Sequence, residues 1–205
     1  MKKETQLTIR QENSKALLTR ARTLLNITNE ILNQDLVVDE SWIDRLLEWA
    51  EKNNVLDYKW INNNNGYYQD LPREKNKIKN LKELYLVNKQ LKDIPQEIGH
   101  LINLEKLILW GNQLTELPKE LWSLTKLKEL SLAQNQLKNI PSDIENLIDL
   151  KKISLSKNQL TELPQELWSL TKLKELYLTQ NQLKSIPSDI TDLTDFCKNR
   201  GKIVK

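Results

Sequence analysis

Nucleophilic catalysis draws first on cysteine and histidine, because a Cys becomes reactive when a base lies within hydrogen-bond reach. This chain has one of each, Cys197 and His100, too far apart along the chain's repeat for a direct pair in one subunit. Cys197 reads instead as packing at the chain's end. Metal binding needs His, Cys or carboxylate side chains clustered at ligand spacing, and no such cluster stands in the sequence. A phosphate-cradling GxxxxGK[ST] segment is missing, and four glycines leave little to build a Gly-rich loop from. Glu97, Glu120, Asp143, Glu166 and Asp189 recur every 23 residues. A column of acids at that spacing reads as a solvated, turn-capping face rather than as acid–base pairs. The chain is therefore expected not to be an enzyme and to need no cofactor or metal.

The bulk properties agree with a folded, charge-balanced protein. Of 205 residues, 39% are apolar and 29% charged, which is a globular composition. Thirty-one basic and 28 acidic residues are interleaved along the chain, so no single-sign field follows from the net charge of +3, and nucleic acid is not an implied partner. The opening MKKETQLTIRQENSK has no apolar run behind its lysines and does not read as a secretory signal. No stretch has the roughly 18 to 20 apolar residues of a membrane span. A cytoplasmic location is the default expectation, with export by a machine that reads no cleavable signal as the other.

The organising signal is a repeat. At a spacing of 23 residues five segments fall into register from Asn80 to Thr194: NLKELYLVNKQLKDIPQEIGHLI, NLEKLILWGNQLTELPKELWSLT, KLKELSLAQNQLKNIPSDIENLI, DLKKISLSKNQLTELPQELWSLT and KLKELYLTQNQLKSIPSDITDLT. In the LxL core, Leu130 and Leu132 point inward while Ser131 points out, since successive strand side chains face opposite sides. Each repeat thus supplies one short parallel strand. One repeat cannot bury its own leucines, but stacking aligns Leu84, Leu107, Leu130, Ile153 and Leu176 into a continuous core.

Asn112, Asn135, Asn158 and Asn181 fall where the chain leaves the strand, and their amides are expected to satisfy unpaired backbone groups there. The first repeat has Lys89 at that position, which leaves its rung of the ladder without an amide. Pro95, Pro118, Pro141, Pro164 and Pro187 suit the first position of a helical turn on the outer side. Repeats 2 and 4 are nearly identical, so a doublet is laid over the single period.

The LxxLxLxxNQLxxLPxxLxxLxx pattern resembles the leucine-rich-repeat family, and its 23-residue form is similar to the bacterial and Ras-group-related repeats. The resemblance implies an α/β solenoid: an arc with short parallel strands on the concave side and short helical turns on the convex side. Members are mostly scaffolds and receptors for proteins. Some bacterial members carry a cysteine-dependent ubiquitin ligase in a separate large domain, and FCKNR around Cys197 supplies no substitute for it.

Three segments are expected. Residues 1–67 read as an N-terminal helical region that caps the solenoid or docks a partner. Within it, Leu17, Leu18, Ala21, Leu24, Leu25, Ile31 and Leu32 predict a helix over about 14 to 33, and Trp42, Ile43, Leu46, Leu47 and Ala50 another over about 42 to 53. INNNNGYYQD reads as a loop. Residues 68–194 hold the solenoid, which opens on a half repeat whose Leu71-Pro72 and Ile78 match Ile94-Pro95 and Leu101. Residues 195–205 depart from the pattern, and Phe196, Ile203 and Val204 are expected to cover the open end.

Function is then read by column. Counted from the first Leu of LxxLxL, the third position of each repeat runs Glu83, Lys106, Glu129, Lys152, Glu175, a ladder of opposite charges on strands about 4.8 Å apart. Positions five and seven place Tyr85, Val87, Ile108 and Trp110 on two neighbouring strands, where the core does not require them. Further along, the same columns hold Ser131, Ala133, Ser154 and Ser156 before Tyr177 restores an aromatic. Aromatic clusters rimmed by charge are typical interface anchors. These nine residues (Tyr85, Val87, Ile108, Trp110, Glu83, Lys106, Glu129, Lys152 and Tyr177) are the expected site for a partner protein. Trp122 and Trp168 on the convex side are a second candidate. The other readings are self-association through the N-terminal helix and an exported bacterial effector or adhesion-type factor acting on a host protein.

Overall fold

The computed structural model describes residues 39–56, 59–61, 67–69, 71–184 and 202–204, the three short stretches at 59–61, 67–69 and 202–204 by backbone alone. The chain divides into two units, Met1–Asp39 and Glu40–Lys205, and every element described below belongs to the second. The helix expected over 14–33, Pro187, Asp189, Phe196 and Cys197 lie outside the described residues.

The apolar stripe around Leu46 forms α1, Ser41–Lys52, whose Trp42, Ile43, Leu46 and Ala50 are buried. Two short strands follow, β1 (Lys59–Ile61) and β2 (Tyr67–Gln69), paired antiparallel with Trp60 opposite Tyr68. The segment read as a loop is therefore a hairpin. Its signal was present: Asn65-Gly66 is a strong hairpin-turn dipeptide, and aromatic residues on both sides favour strand. The half repeat folds as α2, Lys75–Lys79, with Leu71 and Ile78 in the core.

The solenoid sheet consists of β3 (Glu83–Tyr85), β4 (Lys106–Ile108), β5 (Glu129–Ser131), β6 (Lys152–Ser154), β7 (Glu175–Tyr177) and β8 (Lys202–Val204), all parallel and in sequence order. From β3 to β7 each residue pairs with the residue one period later, so Leu84, Leu107, Leu130, Ile153 and Leu176 form one buried column. The sheet continues past the repeat: β8 pairs Lys202 with Glu175, Ile203 with Leu176 and Val204 with Tyr177. The repeat pattern stops near residue 194, but the open edge of β7 still presents unpaired backbone groups, and a short run of suitable chain satisfies them.

Between strands the chain returns through 3₁₀ turns at Gln96–His100, Lys119–Ser123, Ser142–Asn146 and Gln165–Ser169. Pro95, Pro118, Pro141 and Pro164 stand one position earlier than expected. Each is the residue before the turn, with φ of −71°, −65°, −74° and −68°, and its carbonyl accepts the first i+3 bond, as in Leu121 N–H to Pro118 O at 3.1 Å. The ring holds φ while the extended ψ turns the chain into the coil. Trp122, only 2% exposed, packs in the core and Trp168 packs half-buried against it, so both act as spacers between outer turns.

α1 lies on the first of these turns. Arg45 Nε meets Glu97 Oε1 at 2.6 Å, Trp49 Nε1 donates to Asp93 Oδ1 at 3.0 Å, and the Trp42 and His100 rings stack with centroids 5.0 Å apart. Glu97 is thus a buried member of the acid column, at 6% exposure, rather than a solvated one. Burial pushes its carboxyl upward, but bonds from Arg45, the backbone and Gln96 outweigh that and hold it below the usual carboxylate range.

Candidate functional site

The asparagine ladder ties each coil to its neighbour where the chain leaves the strand face. Asn135 Nδ2 donates to Leu132 O in its own repeat and to Leu109 O in the preceding one, while its Oδ1 accepts from Leu114 N–H. Asn158 and Asn181 repeat this geometry one coil on. Asn112 serves the first repeat, accepting from Lys89 N–H and Leu91 N–H and donating to Leu86 O. Each amide therefore reaches backward, and the first repeat obtains its rung from the second. Lys89 interrupts nothing, and its side chain lines the concave face instead of turning inward.

Just before each ladder position the backbone is left-handed, at Asn88, Gly111, Gln134, Lys157 and Gln180. Of these five positions glycine stands only at 111, where an added Cβ would come 2.0 Å from Asn88 Oδ1 on the preceding coil and that side chain would have to move aside.

On the strand face the structure forms a concavity of about 880 Å³. Eight of the nine expected residues line it: Tyr85, Val87, Lys106, Ile108, Trp110, Glu129, Lys152 and Tyr177. Glu83 is the exception, but it holds the site by accepting the Tyr85 phenol proton at 2.7 Å. Val87, Ile108 and Trp110 are half-buried and form one wall, with Tyr177 opposite and Ser131 and Ser154 between them. Large side chains thus flank small ones, which gives a shaped depression rather than a flat sheet. Asn88 and Lys89 were not anticipated as lining residues, although the loss of the ladder amide at 89 was the signal for them.

The third-position ladder closes as an ion-pair chain. Lys106 Nζ lies 3.0 Å from Glu129, and Lys152 Nζ lies 3.9 Å from Glu129 and 3.3 Å from Glu175. The ends are alike: Tyr85 donates to Glu83 with Lys106 5.4 Å from its ring centre, and Tyr177 donates to Glu175 with Lys152 5.5 Å from its ring centre. Tyr85 is 7% exposed. Its burial, with the Glu83 bond, pushes the phenol up to about 12 against the opposing pull of Lys106. Burial lowers Lys106, but Glu129 and Tyr85 prevail and raise it. Tyr85 thus stays a neutral phenol and Lys106 a cation across the neutral range.

Coils tied together by backward-reaching amides, with a strand face free to vary, define a parallel repeat solenoid, whose characteristic product is an extended concave surface. The chain belongs to the leucine-rich-repeat family, described as leucine rich repeat, which it matches over residues 79–137 and 125–183. That family consists in general of non-catalytic protein-interaction modules. No curated protein matches the chain. Among solved structures it is similar to a leucine-rich-repeat protein of Leptospira interrogans, with 36% identity over 61% of this chain and 33% of that one and a TM-score of 0.55. It is also similar to internalin C2 of Listeria monocytogenes, with 31% identity over 60% of this chain and 51% of that one and a TM-score of 0.50. The chain thus spans about a third and about half of those proteins. No helix among the described residues is long and apolar enough to cross a membrane.

Proposed function

We propose that the chain is a non-enzymatic protein-binding module that holds its partner on the concave strand face. Val87, Ile108 and Trp110 are the apolar anchor and one wall, Tyr177 the wall opposite, and the Glu83, Lys106, Glu129, Lys152, Glu175 ladder, with Tyr85 hydrogen-bonded to Glu83, the charged floor that sets register. The observation that carries this reading is the shaped concavity, which gathers half-buried apolar side chains that the leucine core does not use. Desolvated aromatic anchors in such depressions dominate interface energies.

The test begins with cross-linking, using a photoreactive residue at position 87 to recover the partner. Trp110→Ala should then weaken binding of that partner by about 2 kcal/mol or more in a calorimetric titration while the melting temperature barely moves. Ile102→Ala, on a residue 62% exposed outside the concavity, is the control and should change binding little. Equal small effects from both substitutions refute the reading, as does a large stability loss from Trp110→Ala.

A further inference from the structure

Charges that are interleaved in sequence are sorted by a 23-residue coil into columns. The second repeat position holds Lys82, Glu105, Lys128, Lys151 and Lys174. These are consecutive rungs of one backbone ladder: Glu105 N–H donates to Lys82 O, Lys128 N–H to Glu105 O, Lys151 N–H to Lys128 O and Lys174 N–H to Lys151 O, each at 2.7 or 2.8 Å. Each rung immediately precedes a strand, so the column forms the rim along which the concave face begins. The last repeat position lies beside it and adds Lys126 and Lys172. From Lys82 to Lys174 the two columns hold six lysines against two carboxylates, Glu105 and Asp149.

Both carboxylates are already engaged. Glu105 lies 2.5 Å from Lys128 and 3.9 Å from Lys82, and Asp149 lies 2.5 Å from Lys172. The bond from Lys128 holds Glu105 low and the bond from Lys172 holds Asp149 low, with further lysines adding to each. Four acids of the turn column, Glu97, Glu120, Asp143 and Glu166, sit on the 3₁₀ turns, away from this rim. A net charge of only +3 thus resolves into a basic edge that the composition conceals.

We infer that this rim receives an acidic polypeptide segment of the bound partner, with carboxylates meeting Lys128, Lys151 and Lys174 while the apolar part of the partner enters the neighbouring concavity. The inference rests on the protein-binding reading above. Charge complementarity supplies the attraction, and Lys128, Lys151 and Lys174 are exposed residues, Lys128 sharing its ammonium with Glu105. Those three rungs span about 10 Å, and an extended chain presents a side chain to one face every 6.6 to 6.8 Å or so, which matches two carboxylates to three lysines. A polypeptide is favoured over a nucleic acid because the rim borders the concavity already proposed as the seat of a protein partner, lined by Val87, Ile108 and Trp110.

The probe is a fluorescein-labelled decaglutamate peptide, titrated with the full chain by fluorescence anisotropy at low salt. The combined variant Lys128→Gln, Lys151→Gln, Lys174→Gln should bind at least about 10-fold more weakly than the unmodified chain, and added salt should erase the difference. Lys92→Gln, Lys138→Gln, Lys184→Gln removes the same charge from exposed positions outside the two columns and should change affinity by less than about twofold. Circular dichroism melts establish that both variants fold. Equal losses from the two triple variants, or no loss from either, overturn the inference. A ten-nucleotide oligothymidylate that binds as tightly as decaglutamate overturns it in favour of nucleic acid. Trp110→Ala should leave decaglutamate affinity within about twofold, because the anchor and rim are separate surfaces. If the rim variant keeps its decaglutamate affinity while Trp110→Ala still weakens the cross-linked partner, the acidic segment is refuted and the anchor stands. If decaglutamate depends on the rim but Trp110→Ala has no effect on that partner, the concave anchor is refuted and the rim remains.

Discussion

Asn135 illustrates how one side chain can decide the geometry of a whole coil. Its amide satisfies Leu114 N–H and the Leu109 and Leu132 carbonyls, all on buried residues. Asn135→Ala is expected to destabilise the protein by about 2 to 4 kcal/mol, since several buried backbone groups lose their partner at once. Asn181→Ala, at a half-buried rung near the end of the stack, should have a smaller effect in the same thermal melts. Similar small shifts for both would mean that the backbone relaxes and finds other partners. The ladder amides were readable from sequence as structural, but their direction was not. Spacing says that an Asn recurs; only coordinates say that it serves the coil before its own.

At the scale of elements, the seam between α1 and the first 3₁₀ turn is held by a buried carboxylate. Glu97 is depressed below its usual value when folded, so its contribution is present above the unfolded value and is lost as pH falls through the folded one. Glu97→Gln should therefore be less stable than the parent near neutrality, and the gap should narrow as pH falls below the usual carboxylate range and the parent's carboxyl protonates. A gap that stays constant across that range in urea titrations would show that the Arg45 pairing contributes nothing through charge. The helix itself was legible, because a stripe at three- and four-residue steps has one solution. The strand pair Lys59–Ile61 and Tyr67–Gln69 was not read, since the run of four asparagines between two aromatic segments outweighed the strand signal on either side.

For the whole molecule the governing property is shared stability between neighbouring coils. Leu132 is fully buried, and its coil bonds both neighbours through Leu132 N–H to Ser154 O and Leu109 N–H to Ser131 O. Leu132→Asp should destabilise by about 3 to 5 kcal/mol, because the site must accept a charge or protonate it, and adjacent coils should lose hydrogen-exchange protection with it. An unchanged melting temperature would contradict the register of the stack. The sorting of lysines onto one rim also belongs to this scale, as it exists only once the coils are superposed.

The 23-residue period determined the coil, the inward leucines, the strand face and the residues that could stand on it, because a solenoid maps sequence position directly onto place in space. The candidate site could be read for the same reason, down to the Glu–Lys alternation of its floor. What only the tertiary structure decided were contacts at the ends of the stack: the helix seated on the first turn through Arg45 and Glu97, the burial of Tyr85 on the first strand, and the strand at Lys202–Val204 that extends the sheet. Those depend on which surfaces are left open when the repeat ends, and a repeating pattern carries no information about what covers its own ends.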